Sequence, residues 1–368
     1  MLAGTGFRVR TLAVTASEGA QRLHVGEHLR SLGIEFSLER GHSRKEFRFL
    51  SRGIEFRLLD TGALGLIKWE SALGRQFDLM LDEELRTFQP DVVFTYGGSP
   101  GDDRRRARAR KAGAKVVFGL RNEGYLVKNA FTDVDAILTP SRYLSERYRE
   151  AIGVESAPLP TPMVAEDIVA PEHDPIFLTF VNPSFEKGVV VFAQLAEELS
   201  KQRPDLPILV IESRGSAGLL AAVGENGGFD LRRHENIMFS PAVPTPRDVY
   251  VPTRVLAVPS LRDAAPRVIA EAMTNGIPPL VSDRCGLPEM AEGAGCVFPL
   301  PLSLSLSDRA PVSAEVVQPW IELIVRHFDE EEFYAAECSK ARNAAKRFSP
   351  EVLAPQYANF FFAVIARA

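Results

Sequence analysis

Residues Val258–Glu271 read VPSLRDAAPRVIAE. Val258 ends an apolar, β-branched run that starts at Arg254, and Pro259-Ser260-Leu261 leads out of that strand. Asp263 falls in the turn, Pro266 stands where the first residue of a helix belongs, and Gly276 stops that helix. The amides of Ala264, Ala265 and Arg267 would point out of the helix start. Unpaired N–H groups and the helix dipole there suit an anion such as a diphosphate. Glu271, further along the same helix, is placed to accept hydrogen bonds from ribose hydroxyls. The plain alternative is a strand–turn–helix with a capping aspartate.

Upstream, Phe180–Gly188 (FVNPSFEKG) repeats the arrangement: it leaves a strand at Ile176–Val181 and opens a helix at Gly188. Lys187 would project beside that helix start onto a phosphate, or else is a surface lysine. Further strands are expected at Ile208–Glu212, Ile237–Phe239, Pro279–Ser282 and Cys296–Phe298, with a helix at Gly188–Gln202. The first half alternates in the same way. Strands are expected at Arg8–Thr15, Ile34–Leu38, Ile54–Leu58, Val92–Tyr96, Lys115–Leu120 and Asp135–Thr139. Helices are expected at Ala20–Leu32, Asp78–Gln89, Asp102–Ala112 and Ser141–Ile152. Alternating strands and helices imply an α/β fold of right-handed βαβ units with parallel, doubly wound sheets. Five prolines (158, 160, 162, 171 and 175) mark a linker between the halves. The reading is a Rossmann-like domain at 1–160, a linker at 161–175, a second Rossmann-like domain at 176–348, and a C-terminal helix at 349–368 whose aromatic stripe returns to pack on the N-terminal domain. Ligands of such sheets sit outside the carboxyl ends of the strands, here in a cleft between the domains.

A chain of 368 residues is long enough for two such domains. Its 45% hydrophobic and 25% charged residues fit a globular protein and exclude a largely disordered or collagen-like one. A net charge of −5 gives no global basic field for nucleic acid. The three cysteines, Cys285, Cys296 and Cys338, are too few to staple the chain, so reduced thiols and a cytoplasmic location are expected. No apolar window approaches the ~18 residues of a transmembrane helix.

Taken in order, the two loops resemble retaining family-4 glycosyltransferases of the two-domain GT-B fold (glycosyl transferases group 1). Their E-x7-E element stands here as Asp263-x7-Glu271, and their G-x-P-x-x-x-[ST]-x-x-x-G-x-x-E run as Gly276-IPPLV-Ser282-DRC-Gly286-LP-Glu289. The resemblance covers roughly Ile176 to Pro299 and is fainter before that. It implies a nucleotide-sugar donor, no metal and no other cofactor, with an unidentified acceptor (a glycan, a lipid-linked or a small molecule). Lys187 and Gly188 would lie at the donor diphosphate, Glu271 at the ribose and Asp263 at hydroxyls of the transferred sugar. Asn182, Ser184, Arg214 and the loop Ala264, Ala265, Pro266 and Arg267 would line the donor, with Glu289 in a supporting place. The chain departs from the family at Asp263, one methylene shorter than glutamate; at Ala265-Pro266, which replaces Phe-Gly; and at Asn182-Pro183, which stands where an arginine is usual. Arg267, Arg262 or Arg214 could supply that charge.

In the first half, the family's glycine-rich loop is reduced to Ser17-Glu18-Gly19-Ala20, which places Gly19 near the donor and Glu18 on the acceptor side. VVFGLRN, Val116–Asn122, ends where the family has His-Asn or His-Asp. Arg121 takes the histidine's place; it cannot act as a base, so it would bind phosphate or acceptor, or remain a surface arginine. Asn122 and Tyr125 would face the acceptor. The basic run Arg104–Lys111 is either a solvated helix face or a contact for an anionic acceptor or a peripheral membrane surface. His24 and His28 have a metal-pair spacing but lack companions, so no metal site is assigned. Two other readings stay open: a GT-B protein that binds nucleotide-sugar with weak or lost transfer, and an oxidoreductase, which the absence of G-x-G-x-x-G after the first strand disfavours. Oligomeric state is not legible.

Overall fold

The computed structural model describes residues 1–15, 24–40, 45–62, 71–97, 101–243 and 245–366. Glu18 and Gly19 lie outside these residues. Fourteen strands occur among them: β1 Arg10–Val14, β2 Phe36–Arg40, β3 Lys45–Ser51, β4 Ile54–Leu59, β5 Val92–Thr95, β6 Lys115–Gly119, β7 Ala136–Thr139, β8 Ala157–Pro158, β9 Phe177–Val181, β10 Ile208–Ile211, β11 Ile237–Ser240, β12 Thr253–Val258, β13 Pro279–Ser282 and β14 Cys296–Phe298. The last six form one all-parallel sheet in the order β11-β10-β9-β12-β13-β14.

The two faces of this sheet follow from the period-2 side-chain alternation of a strand. Leu178 and Phe180 of β9, with Val255 and Ala257 of β12, enter one core beneath the helices Val189–Gln202 and Ala314–Asp329. Leu256 and Val258 of β12 enter the other, against Ile269 and Met273 of the helix Arg267–Thr274. Strands buried on both faces read as unbroken apolar runs, as a parallel sheet between helix layers requires. In the first core the Phe180 and Phe192 rings stack with centroids 4.1 Å apart, and Trp320 stacks on Phe298 at 4.4 Å.

Among the described residues the first half holds two four-stranded sheets, β1-β4-β3-β2 and β5-β6-β7-β8. The second is parallel throughout. In the first, only the β1–β4 pair is parallel; β2, β3 and β4 form an antiparallel meander, where the sequence reading expects parallel strands. The cause is a two-residue turn. Arg52 and Gly53 have φ of 48° and 74° and let Ser51 pair directly with Ile54. Positive φ at both central residues matches the twist of a hairpin, so β3 folds back at once instead of crossing over through a helix. The facing edges of β1 and β5 leave a groove of about 1350 Å³ lined in part by Phe88, Phe94 and Phe361.

The last helix, Pro350–Ala366, leaves the second half and packs on the first. Leu353, Tyr357, Phe361 and Val364 share a core with Val117 and Leu138 of β6 and β7. The Tyr357 hydroxyl donates to the carbonyls of Leu159 and Pro160, which holds the linker against this helix. No helix among the described residues is long and apolar enough to cross a membrane.

Candidate active site

Two loops leave the carboxyl ends of neighbouring strands β9 and β12 and meet. Gly188 makes the approach possible. Its φ is 79°, and a Cβ there would lie 1.8 Å from the Pro259 carbonyl oxygen, so the Lys187–Gly188 turn rests directly on the other loop. The amides of Leu261 and Arg262 donate to the Glu186 carbonyl at 2.9 and 3.2 Å and fasten the two together. Lys187 Nζ and the Asp263 carboxylate, 76 residues apart in sequence, form an ion pair. The pair lies on a cavity of about 500 Å³ that Asn182, Arg214, Ala265, Pro266 and Arg267 also line.

Most of the other expected donor residues build the walls. Asn182 has φ 65°, and its side-chain oxygen accepts the Gly215 amide at 2.7 Å, tying its loop to the one carrying Arg214. The Ser184 carbonyl accepts the amides of Lys187 and Val189, which makes Ser184 a turn former at the helix start. Ala265 donates its amide to Asp263 Oδ1 at 3.3 Å. Pro266 is the cap residue, and the helix begins at Arg267, one residue later than its proline suggests. The amides of Arg267 and Val268 precede the first bond of that helix, Ile269 N–H to the Pro266 carbonyl.

Glu271 is buried, and both of its oxygens are engaged. Oε1 meets the Arg267 guanidinium at 2.9 Å, and Oε2 accepts the Tyr250 hydroxyl at 2.8 Å. Burial pushes the Tyr250 phenol well above its ordinary range, and the Glu271 charge beside it adds to that effect. Tyr250 therefore stays a donor and fixes one carboxylate oxygen. The sequence reading missed it, because Tyr250 ends the separate short helix Pro246–Tyr250 and no local spacing links it to Glu271.

The expected acceptor-side residues lie on the loop after β6. Asn122 accepts the Gly124 amide at 2.8 Å on its side chain, and its carbonyl accepts the Tyr148 hydroxyl at 3.0 Å. Tyr125 donates its amide to the same hydroxyl, and its ring packs edge-on to Phe118 at 5.6 Å, so it is partly a core residue. Arg121 is exposed and donates to the Thr161 hydroxyl of the linker at 3.0 Å. The structure thus brings Lys187, Asp263, Ala265, Pro266, Arg267 and Glu271 together, and keeps Arg121 at the linker.

The basic run is largely matched by carboxylates. Arg105 meets Asp78 and Asp102, Arg108 meets Asp82, and Arg110 meets Asp133 and Asp135. Arg106 is buried and donates to the carbonyls of Thr132 and Ala130. Much of the run is thus a partly structural helix face bound to carboxylates and carbonyls of its own half.

Residues 161–298 match the model of the family described as Glycosyl transferases group 1. Over that region the chain is similar to glycosyltransferases. Solved structures agree on the architecture. The glycosyltransferase from Rickettsia africae has a TM-score of 0.67 at 11% identity, covering 98% of this chain and 100% of its own. Sucrose-phosphate synthase from Thermosynechococcus elongatus has 0.65 at 14%, with 98% and 100% covered. The Anabaena HepE structure in complex with UDP-glucose has 0.59 at 14%, with 79% and 84% covered. At these identities the likeness establishes the fold, the GT-B architecture. No curated protein matches the chain by sequence. The family match spans both loops of the cavity and ends at the last strand of the six-stranded sheet, so the similarity lies in the half that holds Lys187, Asp263 and Glu271.

Proposed function

We propose that this protein is a glycosyltransferase that retains the anomeric configuration, needs no metal ion, and takes its sugar from a nucleoside diphosphate donor. The observation that carries the reading is the meeting of Lys187 and Asp263 across the cavity, between two strand ends and beside the start of the Arg267–Thr274 helix. A diphosphate entering there would replace the Asp263 carboxylate as the partner of Lys187. Arg214 and Arg267 line the same cavity and would share its charge. Asp263, released, would be left at the sugar end to accept hydrogen bonds from sugar hydroxyls. Glu271, oriented by Tyr250, would turn its other oxygen from Arg267 to the ribose.

In the retaining reaction the bond from the anomeric carbon to the β-phosphate oxygen breaks, and the diphosphate leaves with that electron pair. The acceptor oxygen bonds the same face of the sugar, and its proton passes to the departing phosphate oxygen. What the protein contributes is fixed positive charge where the leaving group becomes an anion. The first half would present the acceptor from across the cleft. HepE was solved with UDP-glucose and starch synthase IV from Arabidopsis thaliana with ADP and acarbose, which keeps both uracil and adenine donors in view.

A second reading is a nucleotide-sugar binder with weak transfer. It is favoured by Asn182, whose side chain is already committed to Gly215 where the family has an arginine. Incubation with UDP-, GDP- and ADP-sugars separates the two. Sugar release or transfer above a Glu271→Ala control, with the first-formed product keeping the donor's anomeric configuration by proton NMR, is expected of the retaining enzyme. Nucleotide binding without turnover supports the second reading, and an inverted product sinks the retaining mechanism.

A further inference from the structure

The loop that carries Asp263 is held by the other domain. Ser141 precedes the helix Arg142–Ile152 of the first half, and its hydroxyl donates to the Ala264 carbonyl at 2.7 Å. Ala264 packs against the cluster of Phe118, Leu120 and Tyr148 in that half. On its other side, the Gly286 amide donates to the Asp263 carbonyl at 3.1 Å. A Cβ on Gly286 would lie 1.9 Å from the Ala264 carbonyl oxygen, so only glycine allows this contact. Both peptide oxygens of Asp263-Ala264 are therefore gripped, one from within the second domain and one from across the cleft.

Glu289 completes the connection. It lies in the short helix Leu287–Ala291 that begins just after Gly286, and both of its carboxylate oxygens cross the domain boundary. They accept the amides of Arg142 and Tyr143, each at 2.9 Å. A carboxylate at a helix start satisfies donors that have no intrahelical partner and complements the dipole. Arg347 steadies the short helix from the far side by donating to the carbonyls of Glu289, Met290 and Glu292. Serine and glutamate thus lock one helix end of the first domain to the sugar-orienting loop of the second.

We propose that Ser141 and Glu289 are positioning residues: they transmit the placement of the first domain to Asp263, so that the sugar is aimed only while the two domains are in this contact. The proposal rests on the donor reading above. It separates nucleotide binding, which Lys187 and Glu271 would supply from the second domain alone, from sugar orientation, which needs the cross-domain bonds. Misplacing a reacting group by a fraction of a bond length costs turnover far more than binding.

The test compares Ser141→Ala, Ser141→Thr and Glu289→Gln with wild type in the full-length protein. Hydrogen exchange of the 261–267 peptide in nucleotide-free protein should speed up in the alanine and glutamine variants and stay near wild type in the threonine variant. Release of sugar from the active donor should fall by about 10–100-fold in the first two, while affinity for UDP, GDP or ADP stays within about twofold. Unchanged exchange and turnover in both variants would overturn the proposal and leave the donor reading intact. Turnover, nucleotide affinity and melting temperature falling together would also overturn it, since that is what a merely structural contact gives. If wild type binds no nucleotide, the donor reading fails, and with it the assigned task of positioning a sugar; the exchange rates still report whether the loop is held from across the domains.

Discussion

In the proposed reading a diphosphate competes with Asp263 for Lys187. Two substitutions should therefore move nucleotide affinity in opposite directions while both lower turnover. Lys187→Ala removes the cation at the leaving group and should lower turnover by about 100–1000-fold, the scale of a lost transition-state donor; near-normal turnover in a steady-state assay would contradict its role. Asp263→Asn frees the lysine, so nucleoside diphosphate should bind a few-fold more tightly while turnover falls. The ion pair is partly exposed, so no more than about 1 kcal/mol is expected from releasing it. Tyr250→Phe removes a hydrogen bond to a buried carboxylate, an interaction worth about 1.5–3 kcal/mol. Nucleotide affinity measured by calorimetry should weaken by roughly tenfold, because Glu271 then closes on Arg267 and is less available to the ribose. Lys187, Asp263 and Glu271 were legible because each stands at a fixed offset from a strand end or helix start. Tyr250 and Ser141 were not, because their partners are 21 and 123 residues away.

At the level of elements, the second half was readable because its strands are apolar runs bounded by turn residues and buried on both faces. The β2–β4 meander was not, although Arg52-Gly53 between alternating residues was its signal. That meander carries a buried charge cluster. Arg57 on β4 donates to Glu46 at 2.7 Å, Glu83 at 2.7 Å and Glu84 at 3.1 Å. Hydrogen bonding to Arg57 holds the Glu83 carboxyl below its usual range. Arg57→Ala would leave the Glu46 carboxylate, 1% exposed, with only the longer 3.7 Å approach of Arg48. The expected loss is about 3–5 kcal/mol in urea unfolding; a loss below about 1 kcal/mol would mean that the cluster is not stabilising.

The helix Ala314–Asp329 adds a pH dependence. His327 is 1% exposed, its Nδ1–H donates to the Leu323 carbonyl at 2.7 Å, and burial holds its pKa below the ordinary 6.5. The Glu337 charge opposes that shift, while those of Arg254 and Arg326 add to it. Below about pH 6.5 the unfolded chain takes up a proton that the folded chain resists, so stability falls as pH falls and is flat above that range. Urea midpoints at pH 5.0 and 7.5 should differ more for wild type than for His327→Asn, which keeps a donor but does not titrate. Equal differences would remove His327 from the account.

At the scale of the molecule, the two halves differ in how much chemistry they show. The C-terminal half brings Lys187, Asp263, Arg214 and Arg267 around one cavity beyond the carboxyl ends of β9 and β12. The N-terminal half spends its arginines on internal carboxylates, and its cleft-side residues Asn122 and Tyr125 are bound into their own loop. A spacing rule points to the proposed phosphate site because the same backbone geometry recurs wherever a helix follows a strand. An acceptor is read by side chains on loops of no fixed form, so the sequence of the first half does not name it. The domain connections follow the same division. The linker was expected from its prolines and the return of the last helix from its aromatic stripe; the strands that receive it, through Val117 and Leu138, were not.

The most direct test is calorimetric titration of UDP, GDP and ADP into wild type and Lys187→Ala, followed by thermal unfolding at saturation. One nucleotide should bind wild type, and at 100 times its dissociation constant should stabilise the fold by ~2.7 kcal/mol. Lys187→Ala should bind that nucleotide at least about tenfold more weakly, a difference of about 1.4 kcal/mol. Failure of all three nucleotides to bind, or equal binding by wild type and variant, would contradict a diphosphate site at Lys187.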